Sequence, residues 1–199
     1  MIYDKITQGD TMNIIFRILF KKQLQEMNDE IFRLECSNYQ LKDQIQNLKC
    51  RNEEYSKLIE YILSFPTYTI YEKYARKDST IFVVKNEDKK NLDFYLYSLK
   101  YQRRGPRILT EKKTKYKGDN TYLYINDFLA VEENIGNGSI LLNSLIRYAR
   151  SQGYDSIVGW LSPVDKDHFN KLVYFYEKNG FKVIFNEDRN EGSIKLNLK

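Results

Sequence analysis

From Leu24 onward, apolar or special residues recur at spacings of alternately three and four: Leu24, Met27, Ile31, Leu34, Asn38, Leu41, Ile45, Leu48, Asn52, Tyr55, Ile59 and Ile62. This is a heptad seam, narrower than the stripe by which a single helix lies on a globule. With a at Leu24, Ile31, Asn38, Ile45, Asn52 and Ile59, the d positions are Met27, Leu34, Leu41, Leu48, Tyr55 and Ile62, and neither Pro nor Gly interrupts them. The pattern predicts one long helix, a rod of roughly 58 Å at about 1.5 Å per residue. Its start is expected near an N-cap at Asp10 or Thr11, and Pro66 ends it, because the residue before proline disfavours helix.

Residue choice on the seam adds to the period. Ile at a with Leu at d favours two parallel strands, and an Asn at a is satisfied best by its own twin. An amide facing Ile would be buried without a partner at a cost of about 1–3 kcal/mol. Asn38 and Asn52 therefore point to a parallel, in-register homodimer. Flanking charges leave another partner chain open, since Glu30 at g would face Glu35 at e. Cys36 and Cys50 both fall at f and read as ordinary exposed thiols. The stretch Met12 to Phe20 is apolar nearly all round, and packing against the partner chain or the C-terminal region is expected ahead of contact with a membrane surface.

After Pro66 the period changes. Residues 68–75 fit a strand or a last helical piece. Residues 80–86 and 92–101 are rich in β-formers around the polar turn EDKKN and predict an antiparallel hairpin. Further strands are expected at 121–131, 155–161, 181–185 and 193–198. Helices are expected at 138–152, with Leu141, Leu142, Leu145, Ile146 and Ala149 on one face, and at 167–178. The fold class is α+β: a mixed, mostly antiparallel sheet flanked by helices, preceded by the long coiled-coil helix. The domain reading is 1–65 for the helix, with its seam at 24–62, and 66–199 for the rest.

Composition narrows the class. Of 199 residues, 42% are apolar and 30% charged, with 9 Gly and 3 Pro, which excludes collagen-like, Pro-rich and largely disordered chains. The longest apolar run, Ile14 to Phe20, contains Arg17 and is too short to span a bilayer. No secretory signal is read, so a cytoplasmic protein is expected. Two cysteines and one histidine, His168, give no metal pattern. The net charge of +5 concentrates at 100–117, where Lys100, Arg103, Arg104, Arg107, Lys112, Lys113, Lys115 and Lys117 face Glu111 alone. That segment reads as a solvated loop between strands, or as a patch for nucleic acid or an acidic partner.

The chemistry concentrates in VEENIGNGSILLNSLI, from Val131 to Ile146. A strand runs into a loop holding Gly136 and Gly138 and then directly into a helix, a corner whose exposed N–H groups and positive dipole end suit phosphate. Together with YFYEKNGF at 174–181, the segment resembles the GCN5-related N-acetyltransferase superfamily, whose phosphate loop reads Arg or Gln, two residues, Gly, any, Gly or Ala. Leu129-Ala130-Val131 matches the strand before that loop, and Asn170, Tyr176, Gly180 and Phe181 match the second half. The likeness covers about residues 80–199.

The resemblance implies the acyl-CoA N-acyltransferase fold and transfer of an acetyl group from acetyl-CoA to an amine of a small molecule or protein. By that likeness, the backbone of Leu129, Ala130 and Val131 would pair with the pantetheine arm. The N–H groups of Ile135, Gly136, Asn137, Gly138 and Ser139 would hold the pyrophosphate, Asn170 would bond the pantetheine, and Tyr176 would protonate the leaving thiolate. Asp127 is a candidate base, His168 is expected to face solvent, and Trp160 is expected in the core ahead of an acceptor-lining role. Glu133 stands where the pattern has Arg or Gln, putting a carboxylate where phosphate would lie. If that carboxylate marks a lost donor site, the alternative is a non-catalytic dimeric adaptor binding through 100–117.

Overall fold

A computed structural model describes residues 8–76, 79–102, 104–114, 121–132 and 135–199, with side chains from residue 16 onward. Of the residues singled out above, Arg103, Lys115, Lys117, Glu133 and Asn134 lie outside this set, as do the side chains of residues 10–15. The chain divides into two compact units, residues 1–53 and 54–199.

The first unit is helix. Helix α1 runs Gln8–Leu63, starting slightly before the expected cap and stopping before Pro66. Along its first unit the seam residues Leu24, Met27, Ile31, Leu34, Leu41, Ile45 and Leu48 are all exposed, as are Phe16, Ile18, Leu19 and Phe20. Cys36 and Cys50 are exposed thiols, as their f positions require.

The second unit begins with the last turns of α1. Here Tyr55, Leu58, Ile59 and Ile62 pack on Phe82, Val84 and Tyr97, with Leu58 and Ile62 fully buried. The helix is tied down further where Thr80 N–H donates to the Tyr55 hydroxyl at 2.6 Å. So the helix ends at the expected place, while the boundary of packing falls about three turns earlier than 65/66, at 53/54.

Eight strands follow: β1 Tyr68–Arg76, β2 Ser79–Glu87, β3 Leu92–Tyr97, β4 Arg107–Thr114, β5 Thr121–Leu129, β6 Ser156–Leu161, β7 Lys182–Phe185 and β8 Gly192–Asn197. They form one sheet in the order β1-β2-β3-β4-β5-β6-β8-β7. Among the described residues only β5 and β6 pair in parallel; every other neighbouring pair in that order is antiparallel. Helix α2, Asn137–Ser151, connects β5 to β6, and a 3-10 turn, Pro163–His168, leads into helix α3, Phe169–Lys178. This is the mixed sheet flanked by helices that the sequence predicts.

Alternation assigns the two faces. In β2 and β3, Ile81, Val83, Phe94 and Leu96 join the core that α2 covers with Leu141, Leu142, Leu145, Ile146 and Ala149. Their neighbours Phe82, Val84 and Tyr97 point the other way, to the end of α1.

The basic segment departs from expectation. Residues 107–114 are a strand inside the sheet, between β3 and β5, not a solvated loop. Ile108 and Thr110 are buried on one face, and the cations are paired: Arg107 with Asp127, Lys112 with Glu87, Lys113 with Glu111, and Lys100 with Glu132. Two buried positions are enough to hold a strand when neighbours on both sides supply its ladder and carboxylates take up its charge.

Candidate active site

Strands β5 and β6 pair from Tyr122/Ser156 to Ile125/Gly159 and then part, although β5 continues to Leu129 and β6 to Leu161. Two local features drive the parting. On β4, Leu109 and Thr110 face Asp127 and Ile125, so Asn126 is an extra residue, a bulge that bends β5. At Gly159 a Cβ would stand 3.1 Å from the Ile194 side chain and 3.3 Å from Ile125 Cβ, so glycine permits the close last rung. Beyond it the sheet opens as a fork.

The loop from β5 to α2 fills one side of the fork. Glu132 N–H donates to Ala130 C=O at 2.9 Å around Val131, whose φ is +66°. That is the rarer, strained hand of γ-turn, unusual for a β-branched residue. Gly136, at φ +82°, caps α2 in a left-handed conformation that favours glycine. The first bond of the helix ladder here is Ile140 N–H to Gly136 C=O at 3.0 Å, so the N–H groups of Asn137, Gly138 and Ser139 precede the ladder at the positive end of the helix. At Gly138 a Cβ would already touch the rings of Phe128 and Phe175 at 3.4 Å.

Side chains from other elements brace this loop. Asn137 is fully buried; its amide donates to the Tyr101 hydroxyl at 3.2 Å and its carbonyl accepts from Arg76 at 3.2 Å. Arg76 also donates to Ile135 C=O at 2.8 Å. Glu132 pairs with Lys100 at 2.6 Å, and that hydrogen bond holds its carboxyl below the usual range.

The diverging end of β5, the loop and α3 line an open cavity of about 580 Å³. Phe128, Ala130, Glu132, Gly136, Gly138 and Ser139 line one side, and Lys171, Leu172, Tyr174, Phe175, Tyr176 and Lys178 the other. Tyr176 is 4% exposed, its ring packed on Phe128, Phe175 and Phe181. Its hydroxyl makes no hydrogen bond to a described residue. Burial, with a smaller push from Asp165, raises the phenol well above its ordinary value and keeps it protonated.

Of the residues singled out by sequence, Ala130, Gly136, Gly138, Ser139 and Tyr176 line one cavity. Leu129, Val131 and Ile135 are exposed along the loop, and the Asn137 side chain faces inward as a brace. Asp127 does not line the cavity; one of its oxygens accepts from Arg107 at 3.1 and 3.3 Å. Asn170 does not line it either, since its side chain accepts from Arg189 at 3.1 Å. The reason is helical phase. Six residues separate Asn170 from Tyr176, about 120° out of register on a helix, whereas Phe169, seven residues away, shares the buried face. His168 is exposed as expected, but Trp160 is not in the core: it is 52% exposed and donates to Glu191 at 3.2 Å.

Phe128, Arg76, Lys171 and Lys178 were not singled out by sequence. Phe128 alternates with Asp127 on a strand already implicated, which is a usable signal. Nothing in the sequence ties Arg76 to a loop some sixty residues on.

No family model matches the chain. The uncharacterized protein YocC of Bacillus subtilis is 33% identical over 97 residues, a match spanning 44% of this chain and 59% of that relative's length. Among solved structures, an acetyltransferase of the GNAT family from Staphylococcus aureus is similar at 21% identity, with 55% of this chain and 68% of that one covered and a TM-score of 0.44. The ribosomal-protein-S18-alanine N-acetyltransferase of Escherichia coli is similar at 14% identity, with 57% and 72% covered and a TM-score of 0.40.

Proposed function

We propose that this chain is an N-acetyltransferase of the GCN5-related kind that uses acetyl-CoA to acetylate an amine. The observation that carries the reading is convergence: the end of β5 where it leaves β6, the start of α2 and the buried Tyr176 all line one cavity. The residues fit such a co-substrate. The fork leaves backbone groups of β5 without a β6 partner, suited to an amide-bearing arm. Glycines at 136 and 138 let a phosphate approach the helix N-terminus.

When bound, acetyl-CoA supplies a thioester carbonyl; attack by the amine forms a C–N bond and breaks the C–S bond, leaving a thiolate. Tyr176, kept protonated by burial, donates its O–H proton to that sulfur and is reprotonated from solvent. Asp127 lies outside the cavity with its Oδ2 accepting from Arg107, and the amine's proton is released to solvent. The cavity walls hold the reactants together.

Calorimetric titration of the full chain with acetyl-CoA tests this. Micromolar binding is expected for the native protein and for Tyr176→Phe, and loss of binding for Gly136→Glu, which strains a left-handed position. With an accepted amine, Tyr176→Phe should lower kcat by about 10²- to 10⁴-fold. No binding by the native protein at millimolar acetyl-CoA refutes the reading.

For the first unit, we infer that the exposed seam at 24–48 pairs in parallel with a second copy of the chain. The support is its strict heptad period, its exposure throughout and the amide of Asn38 at an a position.

A further inference from the structure

A coenzyme carrying a pyrophosphate needs cations close to the loop that holds it, and this loop brings none of its own. From Val131 to Ile146 the sequence contains Glu132 and Glu133 and neither lysine nor arginine. The helix dipole and a few N–H groups would face that ligand with the Glu132 carboxylate as a neighbour. One guanidinium reaches the loop from elsewhere. Arg76, the last residue of β1, directs Nη2 to Ile135 C=O at 2.8 Å and to Asn137 Oδ1 at 3.2 Å. The same nitrogen lies 3.8 Å from where a Cβ of Gly136 would stand, and Gly136 lines the cavity.

Nη2 is thus spent on the loop, while Nη1 and Nε make no hydrogen bond to a described residue. A planar fork with one nitrogen anchored and the others available suits a phosphate oxygen better than a flexible ammonium does. The anchoring also removes most of the side-chain entropy that binding would otherwise cost. Of the other cations, Lys100 is taken by Glu132, and Lys171 and Lys178 line the α3 side of the cavity.

Resting on the acetyl-CoA reading above, we propose that Arg76 is the coenzyme's phosphate-binding residue, supplied by the first strand of the sheet in place of a cation in the loop. It both sets the loop through Ile135 and Asn137 and contacts the pyrophosphate through its remaining donors. The sheet's far strand thereby becomes part of the donor site.

The test compares acetyl-CoA binding by the full-length native chain, Arg76→Lys and Arg76→Gln at low and at high salt. Glutamine keeps an N–H for Ile135 C=O but carries no charge. It is expected to weaken binding about tenfold or more at low salt, with the gap from the native protein narrowing as salt screens the charge. Lysine should fall between them. A gap for glutamine that stays constant with salt would reduce Arg76 to a brace and overturn the proposal, as would equal binding by all three proteins. A native chain that binds no acetyl-CoA at either salt would instead refute the acetyltransferase reading itself. Ligand-free thermal midpoints identify a misfolded variant; if glutamine misfolds, lysine alone decides, by a salt-sensitive or a salt-insensitive loss.

Discussion

Residues 24–48 and residues 55–62 carry the same three-four repeat and meet opposite fates. In the first stretch every apolar seam position is exposed, Leu41 at 53% and Leu48 at 65%; in the second, Ile62 is fully buried under Phe82, Val84 and Tyr97. The repeat is continuous, so periodicity alone does not separate them. What separates them is the chain that follows. The turn at 64–67 sends β1 and β2 back against the last helical turns, and the alternation in β2 presents Phe82 and Val84 to them. A heptad reading identifies an apolar face; the covering of that face is decided elsewhere in the sequence.

The sharpest way to break this contrast is to cut the same side chain in both stretches. Ile62→Ala should cost the 54–199 unit about 2–5 kcal/mol, as large-to-small changes in packed cores do. Ile45→Ala should leave that unit's unfolding unchanged. Trp160, the sole tryptophan, lies in the 54–199 unit, so its fluorescence reads that transition selectively. A charge on the seam sharpens the comparison from the other side. Leu41→Lys should convert a dimer to a monomer in sedimentation equilibrium while the fluorescence midpoint holds. Asn38→Ile should raise the midpoint of helix melting by on the order of 1 kcal/mol per chain and relax the preference for dimers, seen as higher oligomers.

A further effect appears in acid and is confined to the 54–199 unit. Burial alone would raise the Glu87 carboxyl, but hydrogen bonds from Lys112, Lys85 and Tyr148 outweigh it and hold it at about 2. A carboxyl lower in the folded than in the unfolded state stabilises fully above its unfolded value, near 4.3, and that contribution is lost as pH falls toward about 2. Tryptophan-monitored stability should therefore decline across that window, and Glu87→Gln should flatten the decline.

Much of the site was readable because its signals are local. Glycines between a strand and an amphipathic helix mark the corner at 136–138, and the buried face of α2 follows directly from Leu141, Leu142, Leu145, Ile146 and Ala149. Tyr176 was readable from its neighbours in sequence. What escaped depends on partners far along the chain. Strand β4 reads as a loop because Arg107 and Lys112 find Asp127 and Glu87 only once the sheet exists. Asn170 was misplaced because a motif match ignores one residue of helical phase. Arg76 was invisible because its contact is made across 59 positions. Trp160 is kept at the surface by Glu191, which the sequence separates from it by a helix and a strand.

The parting of β5 and β6 has a consequence for how this sheet meets other chains. An edge strand normally invites another strand to add to it and is a hazard for aggregation. Here the sheet carries two short edges in its interior, facing each other across a wedge that closes at Ile125 and Gly159. A second sheet cannot dock into such a notch, because its strand would have to enter between two others still joined at one end. A thin, extended, amide-bearing chain can. The notch therefore keeps unpaired backbone groups available without offering a template for self-association, which makes it selective by thickness before any side chain is consulted.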